Sequence, residues 1–138
     1  MKDCDSIPSA SVPPWRTDVL RDRRAILALE TAYHALFEAL PEPNPFLAPE
    51  WVYAWLNTLG SRFVPCFLVC FEGDLLRGVW PFFEQPVPAL PPLLLPVGAQ
   101  VADLFDPVGD SRAAALLSTE LASLSGRYLA VWLPLLSD

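Results

Sequence analysis

Apolar positions along the chain change period several times, and each change marks an element. From Asp22 to about Ala39, the residues Ile26, Leu29, Tyr33, Leu36, Phe37 and Leu40 recur at three- and four-residue spacing, which predicts a helix with Asp22 as its N-cap. Pro41, Pro43 and Pro45 end it. Pro49 and Gly60 bracket a second helix, from about Pro49 to Leu59. On it Trp51, Trp55 and Leu59 form a ridge that Val52 and Leu56 widen, which leaves Tyr53 and Asn57 facing outward. Phe63 to Phe71 is then apolar at nearly every position, the pattern of a strand covered on both faces. Glu72, Gly73 and Asp74 supply a turn, and Leu75 to Phe83 returns as the second arm of a hairpin. Pro81 cannot donate to a ladder, so a bulge or an edge is expected there.

The remaining segments have weaker patterns. Residues 1 to 16 hold Pro8, Pro13 and Pro14 among small residues and are expected to be a disordered tail, with a short strand at Thr17 to Leu20 after it. Gln85 to Pro96 is Pro-rich and reads as a loop, although Leu93 to Val97 could be a short strand. Val101 to Val108 reads as the next strand or its continuation. Asp110 or Ser111 then caps a helix to about Ser125, with Ala113, Leu117, Leu121 and Leu124 as its buried ridge and Gly126 at the C′ position. Leu129 to Leu133 is the expected last strand, and residues 17 to 138 form one domain.

Composition narrows the function classes. Of the 138 residues 53% are hydrophobic and five are Trp, which suggests apolar surface meant for a partner. The net charge is −7, so no electrostatic footprint for nucleic acid or an anionic membrane is present. The first residues lack the basic and apolar regions of a signal peptide, and the longest apolar runs are too short or too Pro-broken for the ~20 residues that span a bilayer. Cys66 and Cys70 share one face of a strand about 13 Å apart, too far for a disulfide, and read as small core hydrophobes. A cytoplasmic location is expected. Glu30, His34 and Glu38 stack on one helix stripe, but no second element brings further ligands, so the stripe reads as a solvated face rather than a metal site.

The element order is strand, helix, helix, strand, strand, strand, helix, strand. It predicts an α/β (α+β) mixed sheet in which the last helix is a right-handed crossover between parallel strands. This order resembles the first two-thirds of the GNAT acyltransferase fold, an incomplete GNAT-like sheet. The stretches NPFLAPEWVYAWLNTLG (Asn44 to Gly60), LVCFEGDLLRGVWPFF (Leu68 to Phe83), LPVG (Leu95 to Gly98) and ADLFDPV (Ala102 to Val108) resemble, in the same order, the CelD-like acetyltransferases linked with cellulose biosynthesis. Those proteins are similar to the Fem-type peptidyl transferases in having tandem GNAT-like lobes, and this chain resembles the N-terminal one.

The resemblance implies acyl transfer from acetyl-CoA or another acyl-CoA to an amine, with a second lobe as partner. It also implies a Gly-rich loop before the third helix, where amides and the helix N-terminus hold the pyrophosphate. Here that junction is Asp106-Pro107-Val108-Gly109-Asp110-Ser111, with two carboxylates and one glycine. A carboxylate ~4 Å from a phosphate charge costs on the order of 4 kcal/mol at an effective dielectric of ~20, comparable with the gain from the helix end. No cofactor is therefore expected on this chain, and alone it is expected to be inactive. Asp103 and Asp106 are the candidate substrate-binding residues, able as a pair to orient an amine or act as a base. The competing reading makes Asp106 a turn or cap residue and leaves Asp103 solvated. The alternative function is a non-enzymatic module that docks on a partner chain.

Overall fold

The computed structural model describes residues 14–97 and 106–131. In chain order it forms β1 (Trp15–Leu20), α1 (Arg23–Ala28), α2 (Glu30–Glu38), α3 (Pro49–Asn57), β2 (Val64–Glu72), β3 (Leu75–Val87), β4 (Leu90–Pro96), β5 (Val108–Gly109), α4 (Ser111–Leu124) and β6 (Ala130–Val131). The strands make one sheet of path β1-β2-β3-β4-β6, with β5 pairing on β3. Every pairing is antiparallel except that of β4 with β6, which is parallel. This is the mixed α+β sheet that the element order predicts.

Local chemistry explains most boundaries. Asp22 caps α1 by accepting from the Arg24 amide at 3.2 Å. The expected long helix is divided at Leu29, whose amide turns back to Ile26 O at 3.1 Å in a tighter three-residue step. Both halves keep Ile26, Leu29 and Tyr33 buried. The helix α3 is rotated from its expected setting. Val52, Tyr53 and Leu56 are buried, Trp51 and Trp55 flank them, and Leu59 is 72% exposed. Tyr53 can turn inward because its hydroxyl donates to Ile26 O at 2.6 Å, so no polar atom is stranded. Gly60 is required by Trp55: a Cβ there would lie 2.1 Å from the indole ring.

Four further expectations change. Trp15 and Arg16 belong to β1 rather than to a tail, since the Trp15 ring packs under Arg112 at 4.2 Å and Arg77 at 5.4 Å. The β2–β3 bulge falls between Cys70 and Phe71, opposite Arg77, not at Pro81. Pro81 pairs in register with Phe67, at the seam where β3 passes from β5 to β4, and its carbonyl accepts from the Val97 amide at 3.0 Å. The Pro-rich stretch is a hairpin, turned by Pro88 and a left-handed Ala89 (φ 63°). It tolerates proline because β2 begins opposite Glu84, leaving β3 beyond that point one neighbour fewer, and Pro86 is passed over in the β3–β4 register. Gly126 lies in a 3-10 turn (Ser125–Arg127) without left-handed backbone. Residues 1–13, 98–105 and 132–138 lie outside the described residues, and with them most of the expected Val101 to Val108 strand and the end of the last one.

Alternation along β2 and β3 builds two cores. On one face Phe67, Val69, Val79 and Phe83 meet Ile26, Tyr33, Val52, Tyr53 and Leu56 of α1, α2 and α3. On the other, Cys66, Leu68, Cys70, Trp80 and Phe82 meet the ridge Ala113, Leu117, Leu121 and Leu124 of α4. That helix comes close at Gly78, where a Cβ would stand 2.9 Å from Ala113 Cβ. Gly109, paired with Gly78, has φ +144°, and a Cβ there would lie 2.7 Å from Arg77 O.

Candidate functional site

The α4 side of the sheet carries a polar group that the other side lacks. Trp80, Phe82 and Glu84 follow one another at alternate positions of β3, so the carboxylate projects to the same face as two aromatic rings. Glu84 is 6% exposed, the one buried charged residue among those described. Burying a carboxylate costs several kcal/mol unless it is paired and hydrogen-bonded. Here Arg21, just after β1, brings Nη2 within 2.7 Å of both carboxylate oxygens. Tyr128, beyond α4, donates its hydroxyl to Glu84 Oε2 at 2.7 Å, and Cys66 Sγ lies 3.7 Å from the same hydroxyl. Three separate segments thus meet at one carboxylate, and β2 joins them through Cys66 and Tyr128.

The electrostatic consequences agree with that geometry. The hydrogen bond to Glu84 raises the Arg21 guanidinium above its ordinary value, so the ion pair persists. Burial, then the Glu84 carboxylate, raises the Tyr128 phenol, which stays a proton donor. Burial likewise raises the Cys66 thiol, so it is no nucleophile at neutral pH. In this arrangement Glu84 accepts hydrogen bonds from both Arg21 and Tyr128.

Beside this carboxylate the β3–β4 hairpin projects past the start of β2 and leaves a pocket. Its volume is about 260 Å³, and its lining is Arg62, Val64, Glu84, Pro86, Val87, Leu90 and Pro92. Among the described residues no partner pairs with the Arg62 guanidinium. The walls are apolar, with Glu84 and Arg62 as the charged residues of the lining.

The other candidate features resolve as follows. At the N-terminus of α4, Asp110 Oδ1 accepts from the Ala113 amide at 2.9 Å and Oδ2 lies 3.8 Å from Arg77 Nη2. The chain's own carboxylate therefore occupies the positive end of that helix. Asp106 is half-buried and stands two residues before Val108, which pairs with Val79, whereas Asp103 lies outside the described residues. His34 Nε2 is 3.8 Å from Glu30 Oε2 on the outer side of α2, both partly exposed. Cys66 and Cys70 are free, buried thiols on one face. Among the described residues no group of three His, Cys, Asp or Glu could hold a metal ion, and no helix is long and apolar enough to cross a membrane.

Compared with known proteins, the chain matches no family model, no curated protein and no solved structure.

Sequence reasoning missed the Glu84 group. The expected strand stops at Phe83, four residues short of the end of β3, which leaves Glu84 between that strand and the loop expected from Gln85. The available signal was the inward series Trp80, Phe82, Glu84, because a lone acid continuing an apolar alternation needs a buried cation. Arg21 and Tyr128 are separated from it by 63 and 44 residues, and nothing local announces them.

Proposed function

We propose that this chain is a GNAT-like lobe that does not itself bind acyl-CoA and that serves as the companion lobe in an N-acyltransferase. The reaction of the whole would be acyl transfer from acyl-CoA to an amine, in exopolysaccharide or cellulose biosynthesis, with a second lobe or partner chain binding the cofactor. The observation that carries the reading is the strand path. An antiparallel run β1-β2-β3-β4, with β5 pairing on β3, is followed by a helix and by β6 parallel to β4, and this supports the element order on which the resemblance rests. Asp110 supports the second half, since it fills the helix end that a pyrophosphate would need. Isothermal titration with acetyl-CoA should give no saturable heat. Saturable micromolar binding would refute the non-binding lobe. The neighbouring coding sequence tests the rest: a GNAT lobe with a Gly-rich loop, in frame or adjacent, is expected, and its absence contradicts the companion role.

A second reading, a non-enzymatic module that docks on a partner chain, is favoured by one feature. A shallow groove between α1 and α3 is lined by Ile26, Leu27, Leu56 and Pro65 with Arg23 and Asn57, and Leu27 is 49% exposed at its rim. Light scattering after size exclusion separates the two ideas in part. A monomer that forms no complex with candidate partners at high concentration counts against the module.

A further inference from the structure

We infer that the pocket between β2 and the β3–β4 hairpin is a binding site for a small zwitterion with an apolar body, an α-amino acid of the leucine type. Three properties of the pocket lead to this class. Its volume, about 260 Å³, lies below the ~300–1,000 Å³ of drug-sized ligand sites, which excludes an acyl-CoA and favours a compact molecule. Its walls, Val64, Val87, Leu90 and Pro92, are apolar, and Val64 and Leu90 are 45% and 56% exposed, so a bound hydrocarbon would cover them.

Its two polar members have opposite sign and unequal freedom. Glu84 is fixed by Arg21 and Tyr128, whose contacts use three of the roughly four acceptor positions of a carboxylate and leave one for a donor in the pocket. Arg62 has no partner among the described residues and can take a carboxylate. An ammonium on Glu84, a carboxylate on Arg62 and a branched side chain against Leu90 satisfy all three parts. A plain amine leaves Arg62 unmatched beside a second cation, and a plain carboxylate leaves the open acceptor of Glu84 unused. The inference is independent of the acyltransferase reading, because the pocket is remote from the α4 N-terminus and the acetyl-CoA titration does not bear on it.

The test is calorimetric titration of the full chain with three probes, L-leucine, isoamylamine and N-acetyl-L-leucine. Leucine is expected to saturate, and each of the other two to bind at least ~10-fold more weakly for want of one charge-assisted contact. Arg62→Ala, at an exposed position that leaves the fold intact, should lower leucine affinity to that of isoamylamine. Glu84→Gln should lower leucine affinity and leave N-acetyl-L-leucine unaffected, with circular dichroism reporting whether that variant is folded. Saturation by none of the probes, isoamylamine binding as tightly as leucine, or unchanged leucine binding in folded Arg62→Ala would each overturn the site.

Discussion

The two faces of the sheet are built on different principles. The α1–α3 face is covered by helices and is apolar apart from a shallow groove between α1 and α3. Its two tyrosines are buried, and each hydroxyl is matched to a backbone carbonyl, Tyr33 to Leu47 O and Tyr53 to Ile26 O, both at 2.6 Å. Trp55, Phe63 and Phe83 close its end with ring centroids 4.7 to 6.4 Å apart. The opposite face is closed by α4 from Gly78 as far as Phe82. Toward the β3–β4 hairpin a bridged carboxylate and an open pocket replace the helix. The contrast teaches that one face is apolar throughout its core, while the other adds to its apolar core a buried carboxylate beside an open pocket.

Several changes would break or sharpen this contrast. The largest effect is expected from Phe67→Ala on the α1–α3 face, about 3–5 kcal/mol, because its ring is fully buried against Tyr53 and its removal leaves a cavity. Val64→Ala, at the open end, should cost less than about 0.5 kcal/mol. Urea denaturation of both variants checks the ratio. Next is Gly60→Ala, which drives a Cβ into the Trp55 ring and should cost about 1–3 kcal/mol with a changed tryptophan emission.

Alkaline pH acts on both faces together. Tyr33, Tyr53 and Tyr128 are all raised above the ordinary value of about 10, in each case chiefly by burial. The folded state therefore binds these protons more tightly than the unfolded state does. Their contribution to stability is complete below pH ~10 and is lost as pH climbs from there toward the folded values. These are the three tyrosines of the chain. Absorbance at the tyrosinate band should show no step near pH 10, and all three should ionise together with loss of circular dichroism.

Hydroxyl deletions separate the faces more finely. Tyr33→Phe removes a fully buried bond and should cost about 1–2 kcal/mol, whereas Tyr128→Phe leaves Glu84 with Arg21 and should cost about 1 kcal/mol or less. The smallest effect is expected at the hairpin tip. Ala89→Gly relieves a left-handed backbone but loosens the unfolded chain, for a net gain of at most about 1 kcal/mol in melting experiments.

Legibility in the sequence followed the range of the interactions. The hairpin β2–β3, the Asp22 and Asp110 caps and the buried ridge of α4 were readable, because each depends on residues a few positions apart. The inward turn of Tyr53 was not, since the carbonyl that satisfies it lies 27 residues away. The Pro-rich hairpin was hidden for another reason: proline statistics assume a neighbour on both sides, and β3 has lost β2 by then. Of the candidate site, Asp106 remains a half-buried residue ahead of β5, and the group that the fold does assemble, Glu84 with Arg21 and Tyr128, depends wholly on distant segments.

The contrast between faces is tested most directly by amide chemical-shift mapping of the ¹⁵N-labelled chain during titration with L-leucine. The expected result is saturable shifts at Arg62, Val64, Glu84, Val87 and Leu90, with Tyr33, Val52 and Tyr53 unmoved. Shifts centred on the α1–α3 face, or none on either face at saturating leucine, would contradict the assignment of binding to the open side of the sheet.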